Sequence, residues 1–210
     1  HAENFRIEGP EIRANIQSLA LDAKQGYRIK KLAADFAYTL DDIILKDLDL
    51  VTEGSNIKGE VILHHGINGF PDFNNKMPIS AHLENSNIAT NDLNTFYNEF
   101  GTDMQLIVDG DFEGTLNDFT FKNAGLSFQD ISIKGNFKLK NIMEGDEYII
   151  ELKNHNISAN YYDLKRFLPR VLEDLPKEIK DLGRFNLKGN TRITNTILTT
   201  NSLLNSALGN

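Results

Sequence analysis

The stretch TLDDIILK, residues 39–46, recurs as TLNDFTFK at residues 115–122, a spacing of 76 residues. When residues 39–63 are aligned without a gap against 115–139, nine of the 25 positions are identical. NIATNDLNTF at 87–96 likewise resembles NISANYYDLKRF at 156–167. A single catalytic centre gives no reason for such a repeat, whereas a scaffold of repeated units does.

The repeat predicts units of several strands, one short helix and further strands. We place the units at about residues 39–114 and 115–189, with a partial third unit at 184–210. We expect residues 1–210 to form a single elongated groove segment of a larger protein. The alternative is two independently folded copies, although each unit has few residues for a closed sandwich.

Apolar and polar residues alternate along most of the chain, which is typical of strands with one covered face. The predicted fold class is mainly β: an elongated, curled antiparallel sheet that forms a groove with an apolar lining, plus short helices. The predicted lining residues are Ile43, Leu45, Leu48, Leu50, Ile57, Val61, Leu63, Leu106, Val108, Phe112, Phe119, Phe121, Leu126, Phe128, Ile131, Ile133, Phe137, Leu139, Ile150, Leu152, Phe185 and Leu187.

Five glycines fall in register with these lining residues: Gly59, Gly110, Gly114, Gly135 and Gly189. We expect them to face inward. Glycine inside a strand often marks a bend or the close approach of another backbone. Our hypothesis is that they relieve crowding where the sheet curls; strand-end turns or bulges are the alternative.

Two stretches have helical rather than alternating spacing. Residues 90–100 predict one short helix, and residues 162–183 predict two or three pieces, because Pro169 and Pro176 cannot lie inside one straight helix. Residues 64–78 contain no regular pattern and predict a surface loop.

Composition excludes several classes of function. The net charge of −8 and the short, acid-flanked basic clusters disfavour nucleic-acid binding. The chain contains no cysteine, so thiolate metal sites and disulfides are impossible.

No residue pattern predicts catalysis, a metal site or a cofactor. His64 and His65 are adjacent but lack a nearby third ligand, so we interpret them as solvated. His82 and His155 stand alone in the sequence. Asp41-Asp42 becomes Asn117-Asp118 in the second copy, which favours a turn role over paired acid and base.

Two segments carry a resemblance to a known family. DDIILKDLDLVTEGSNIKG at 41–59 and LIVDGDFEGTLNDFTFKNAGLSF at 106–128 resemble the TamB family, within the AsmA-like group of bacterial envelope proteins. The family's Gly-x-hydrophobic-x-Gly phrase matches Gly110–Gly114. Its Leu-x-Thr-x-x-Ser-x-Ile-x-Gly element matches Leu50, Thr52, Ser55, Ile57 and Gly59, and the second copy keeps Leu126, Ile133 and Gly135.

This resemblance implies a non-enzymatic, periplasmic segment of an inner-membrane-anchored protein of Gram-negative bacteria. Its partners would be phospholipid acyl chains, neighbouring repeats, and an outer-membrane barrel protein of the Omp85 type contacted through parts outside this chain. The implied function is passage or shelter of phospholipid between the two membranes, with a further role in outer-membrane protein assembly.

An apolar sheet face must be covered, and the few helices predicted here are too short to cover a dozen strands. Acyl chains would cover it, which agrees with the resemblance. The first alternative is a closed β-repeat module that binds or adheres through a polar face. The second is an enzyme on a β-solenoid, which should show aromatic platforms, but tryptophan is absent.

Overall fold

The computed structural model describes residues 1–22, 28–66, 72–143, 147–169 and 177–209. These residues form one open antiparallel sheet of twelve strands, in which each strand pairs with its neighbours in sequence. The mainly β prediction is therefore confirmed. The strands are β1 Ala2–Glu8, β2 Glu11–Asp22, β3 Arg28–Tyr38, β4 Asp42–Val51, β5 Asn56–His64, β6 Ile79–Ala89, β7 Gln105–Gly114, β8 Phe119–Phe128, β9 Ile131–Lys140, β10 Ile149–Asn160, β11 Arg184–Thr194 and β12 Leu198–Ser206.

The repeated stretch begins with a turn that a threonine side chain stabilises, and a strand follows the turn. The Thr39 hydroxyl accepts hydrogen bonds from the amides of Asp41 and Asp42 at 3.3 and 3.0 Å, and β4 follows. In the second copy Thr115 accepts from the Asp118 amide at 3.0 Å, and β8 follows. Threonine side chains stabilise such turns by replacing a backbone partner.

The two predicted units divide the sheet in the same way. The unit 39–114 contains β4 to β7, and the unit 115–189 contains β8 to β10 and the first half of β11. Each has a short helix between its third and fourth strands: α2 (Thr90–Leu93) and α3 (Tyr161–Phe167). The units share one sheet, because β7 pairs with β8 from Ile107–Ser127 to Gly114–Phe119.

Four strands each carry a bulge at the same level of the sheet, and we call these bulges, together with the glycines opposite them, the bulge column. The central residues are Asp47, Asn85, Asn123 and Asn154, whose φ angles lie between 43° and 50°. At each bulge the partner strand's register shifts, and a glycine lies opposite it: the pairs are Leu48–Gly59, Leu83–Gly110, Ala124–Gly135 and His155–Gly189. A bulge adds one residue to one strand and increases the local twist.

The predicted helices are shorter than expected. α2 ends at Leu93, because the Asn94 side chain bonds the amide and carbonyl of Phe100 and folds residues 94–100 into a loop. α3 begins at the Asn160 cap, whose side chain accepts from the Asp163 amide at 2.9 Å, and ends before Pro169. A 3-10 helix covers Lys177–Leu182, and the predicted helical residues 170–176, including Pro176, lie outside the described residues.

The loop expected at 64–78 is not wholly at the surface. His64 still belongs to β5, a short helix α1 covers Phe73–Lys76, and residues 67–71 lie outside the described residues. Met77 is 2% exposed and His65 is 7% exposed. The surface-loop prediction is therefore wrong for these two side chains, which lie against the sheet rather than in solvent.

Candidate functional site: the apolar inner face

The predicted lining residues lie on one face of the sheet, here called the inner face. Cross-strand pairs bring them together, as in Ile43–Leu63, Phe112–Phe121 and Leu126–Ile133. All of the predicted lining residues are buried or half-buried. The opposite, outer face carries cross-strand ion pairs such as Lys31–Asp49 at 2.6 Å.

The chain itself covers the middle of the inner face. Leu106 and Ile131 are each 2% exposed and belong to a buried cluster that includes Phe128 and Phe167. The ring of Phe167, on α3, lies 5.4 Å from Phe100 and 6.2 Å from Phe128. The β6–β7 and β10–β11 connections therefore meet over β7 to β10, and the two are joined by a hydrogen bond from the Gly101 amide to the Phe167 carbonyl at 3.0 Å.

Tyr97 lies in the β6–β7 connection and reaches the far end of β7. Its hydroxyl donates a hydrogen bond to the Leu116 carbonyl, in the β7–β8 turn, at 3.1 Å. Burial raises the pKa of Tyr97 to about 12, because the phenolate would lose its hydration. We call residues 93–103 the covering segment, since Leu93, Tyr97 and Phe100 fill the groove at this point.

The inner face is open at β1 to β3. Phe5 is 64% exposed, Ile7 62%, Leu21 49% and Leu19 39%. A shallow cavity of about 220 Å³ lies among these strands. Its lining residues are His1, Ala2, Phe5, Ile12, Ala14, Ile16, Ser18, Leu19 and Phe36.

The sequence prediction did not include this open end. The sequence did contain a pattern that predicts it. Apolar residues alternate at Ile12, Ala14 and Ile16, and the alternation continues at Leu19 and Leu21 after one extra residue. That slip corresponds to a register shift between β2 and β3.

The glycines of the bulge column face neighbouring backbone. A Cβ at Gly110 would lie 2.8 Å from the Lys122 carbonyl oxygen, and one at Gly135 3.0 Å from the Cα of His155. At Gly59 and Gly189 a Cβ would overlap a carbonyl oxygen of the adjacent strand, and at Gly114 that of Asp118 in the following turn. Close backbone contact at the bulges therefore requires glycine, and whether these glycines also relieve crowding where the sheet curls stays a prediction.

The bulges also have their own polar partners. At three bulges the backbone amide of the central residue donates a hydrogen bond to a side chain next to the opposing glycine. The bonds are Asn85 to Asp109 at 2.6 Å, Asn123 to Asn136 at 3.0 Å and Asn154 to Asn190 at 2.9 Å. These bonds satisfy donors that the bulge removes from the ladder.

His155 is a polar side chain on the apolar inner face and is 1% exposed. Its Nδ1 lies 3.3 Å from the Leu187 carbonyl, and its Nε2 lies 2.9 Å from the Thr191 hydroxyl and 3.3 Å from the Ser202 hydroxyl. Since a carbonyl can only accept, Nδ1 carries the proton and Nε2 accepts from a hydroxyl. The interpretation of His155 as isolated is wrong, because strand pairing brings these groups together.

His64 is also partnered, on the outer face. Its Nδ1 lies 2.7 Å from Asp42 Oδ1 and its Nε2 lies 2.8 Å from Ser80 Oγ. The arrangement resembles a Ser-His-Asp triad. Ser80, however, is on a central strand between Ile62 and Glu113, so the backbone amides beside it form hydrogen bonds to the neighbouring strands. Stabilising an oxyanion requires free amide donors, and we therefore interpret these residues as a cross-strand hydrogen-bond network.

His65 and His82 also have partners, so the interpretation of His65 as solvated and of His82 as alone is wrong. His65 stacks on Tyr38 with ring centroids 5.0 Å apart. His82 Nδ1 lies 2.7 Å from Asp111 Oδ1 on the neighbouring strand. That hydrogen bond raises the pKa of His82, and bonds from Asn123 and His82 lower the pKa of Asp111.

No family model matches this chain, and no curated protein or solved structure matches it. Within the described ranges, no three His, Asp or Glu side chains are grouped to hold a metal ion. None of the helices in the described part of the chain is long and apolar enough to span a bilayer.

Proposed function

We propose that the inner face shelters phospholipid acyl chains and that they enter at the open end formed by β1 to β3. The proposal is supported chiefly by the exposed Phe5, Ile7, Leu19 and Leu21, which continue the buried lining of β4 to β11. Each methylene removed from water contributes about 0.8 kcal/mol, so about ten methylenes contribute about 8 kcal/mol before ordering costs. Such binding requires no specific contact, as broad lipid recognition demands.

The cellular setting rests on the resemblance alone. We propose a TamB-like, periplasm-spanning protein that carries phospholipid between inner and outer membranes and assists outer-membrane protein assembly. The partners would be neighbouring repeats and an outer-membrane barrel protein.

One observation favours the alternative, a closed β-repeat binding or adhesion module. The cluster around Leu106 and Ile131 is covered by the covering segment and α3. In that part of the sheet, the chain supplies its own apolar cover.

Native mass spectrometry of the detergent-free protein, mixed with phosphatidylethanolamine and phosphatidylglycerol vesicles, separates the two functions. We expect phospholipid adducts on the wild type and their loss in Phe5→Asp and Leu19→Asp. The matched control is Ile107→Asp, because Ile107 is 44% exposed on the outer face. No adduct on the wild type, with a thermal melt unaffected by the vesicles, would favour the closed module.

A further inference from the structure

Charge is divided unequally between two halves of the sheet. Strands β4 to β7 contain two basic and eight acidic residues, a net charge of −6. Strands β8 to β11 contain eight basic residues and one acidic residue, a net charge of +7. The whole chain carries −8, so the positive half is a local feature that the fold assembles.

Five exposed lysines of the positive half form what we call the basic patch: Lys122, Lys134, Lys138, Lys153 and Lys188. Each follows a lining residue along its strand, as Lys138 follows Phe137, so alternation places the patch on the outer face. Lys134 and Lys188 lie on either side of Asn156 and are therefore about 10 Å apart.

The carboxylates beside the basic patch already have partners. Glu151, opposite Lys138, pairs with Arg192 at 3.4 Å, and the Asp111 carboxylate lies 2.7 Å from His82 Nδ1. Across the described part of the chain, no lysine of the patch forms an ion pair. Clustered charges of one sign repel one another, and an anionic partner would remove that repulsion.

The repeat shows that the fold itself does not require the basic patch. The alignment of residues 39–63 with 115–139 places the same strands at both positions with different charges. The replacements from the first copy to the second are Asp47 by Asn123, Asp49 by Gly125, Glu60 by Asn136 and Ile62 by Lys138.

The type of cation indicates the type of partner. Arg184 and Arg192 each pair with a carboxylate at 3.4 Å, so the unpaired cations of the patch are all lysines. Lysine is a flexible point charge, whereas arginine makes fixed bidentate contacts to single phosphates. Within these four strands the outer face has no aromatic side chain on which a base could stack. These properties favour a fluid layer of anionic head groups over a nucleic acid.

We propose that the basic patch docks on a bilayer surface that contains anionic phospholipid. Each lysine near such a surface contributes about fivefold to partition. The acidic half does not cancel this attraction, because the centres of the two halves are four strands apart, about 19 Å, and the screening length is about 8 Å at physiological salt. This docking goes beyond acyl-chain shelter, which uses the opposite face.

The test is flotation of the full chain with vesicles in a sucrose gradient. Partition into vesicles of equal parts phosphatidylcholine and phosphatidylglycerol should exceed partition into pure phosphatidylcholine by at least about tenfold. The protein should be released in about 1 M sodium chloride, where the screening length is about 3 Å.

Lys134→Gln with Lys188→Gln should lower the partition coefficient by about 25-fold, and Lys134→Glu with Lys188→Glu should lower it further. The matched control is Lys46→Glu with Lys58→Glu, which makes the same change of net charge on β4 and β5. The control should float as the wild type does.

Several results would overturn the proposal: equal flotation with neutral vesicles, flotation unchanged in the glutamine pair, or equal loss in the control. Binding of soluble polyglutamate without flotation would assign the patch to an acidic protein segment and would also overturn it. Phe5→Asp with Leu19→Asp should still float with the anionic vesicles even where it loses lipid adducts, so the two proposals fail separately; loss of its flotation would place vesicle binding at the open end instead of the patch.

Discussion

Gly110→Ala tests whether the bulge column requires glycine. Gly110 has a φ of 133°, and an added Cβ would lie 2.8 Å from the Lys122 carbonyl oxygen and 3.1 Å from the Cα of Ala124. The backbone conformation costs about 1–3 kcal/mol for a residue other than glycine. Forcing the neighbouring strand aside costs about 1–3 kcal/mol more. We expect Gly110→Ala to lower the free energy of unfolding by about 3 kcal/mol.

The matched control is Gly125→Ala on the adjacent strand β8. There the nearest atom to an added Cβ is the Asp109 Cβ at 3.8 Å, an ordinary contact. Alanine at a compatible glycine position stabilises by about 0.4–1 kcal/mol through the unfolded state. The two variants should therefore differ by about 3–4 kcal/mol in urea unfolding followed by far-ultraviolet circular dichroism. In thermal melts this corresponds to about 6–16 °C for a chain of this size.

Gly59→Ala should destabilise more than Gly110→Ala, because its Cβ would overlap the His82 carbonyl oxygen. Equal stabilities for the Gly110 and Gly125 variants would refute the reasoning, since they would show that the bulge column tolerates a side chain.

Three further predictions follow from single contacts. Tyr97→Phe leaves the half-buried Leu116 carbonyl without its donor and should cost about 1 kcal/mol of stability. Because the pKa of Tyr97 is higher in the folded state, wild-type stability should also fall as pH rises from about 10 to 12, and it should fall less in the variant. Asp92→Ala removes the acceptor of two hydroxyl hydrogen bonds at 2.6 and 2.5 Å and should cost about 2 kcal/mol in urea unfolding, whereas an unchanged midpoint would contradict these bonds. Asp111→Asn should lower the pKa of His82, measured by NMR titration, since the Asp111 carboxylate favours the imidazolium form of His82. Any stability from this exposed pair is present at acid pH and is lost as pH rises through the folded-state pKa of His82.

Strand positions and their faces could be predicted from alternation, as the register pairs Phe112–Phe121 and Phe121–Phe137 illustrate. The bulges could have been predicted too. In each bulged strand the inward residues are three apart instead of two, as in Leu45 to Leu48 and Phe121 to Ala124, and Asp or Asn occupies the middle. Asn and Asp tolerate positive φ, so the slip and the residue type together mark a bulge.

The covering segment shows where local pattern was misleading. Leu93, Tyr97 and Phe100 have helical spacing, yet residues after Leu93 form a loop. Their apolar side chains contact Phe167 and the β7–β8 turn, which are distant in sequence. Tertiary packing outweighs weak helix propensity in so short a segment.

The sequence by itself determined the strands and the side-chain faces, because each depends on residues within a few positions of one another, and it showed the repeat by direct comparison of residues 39–63 with 115–139. Only the tertiary structure decided which part of the apolar face is covered and which is open, and which histidines have partners. Those features depend on side chains brought together from strands tens of residues apart: Phe100 with Phe167, and His155 with Ser202. Alternation shows that a face is apolar, but only the spatial arrangement shows that the chain covers it at β7 to β10 and leaves it exposed at β1 to β3.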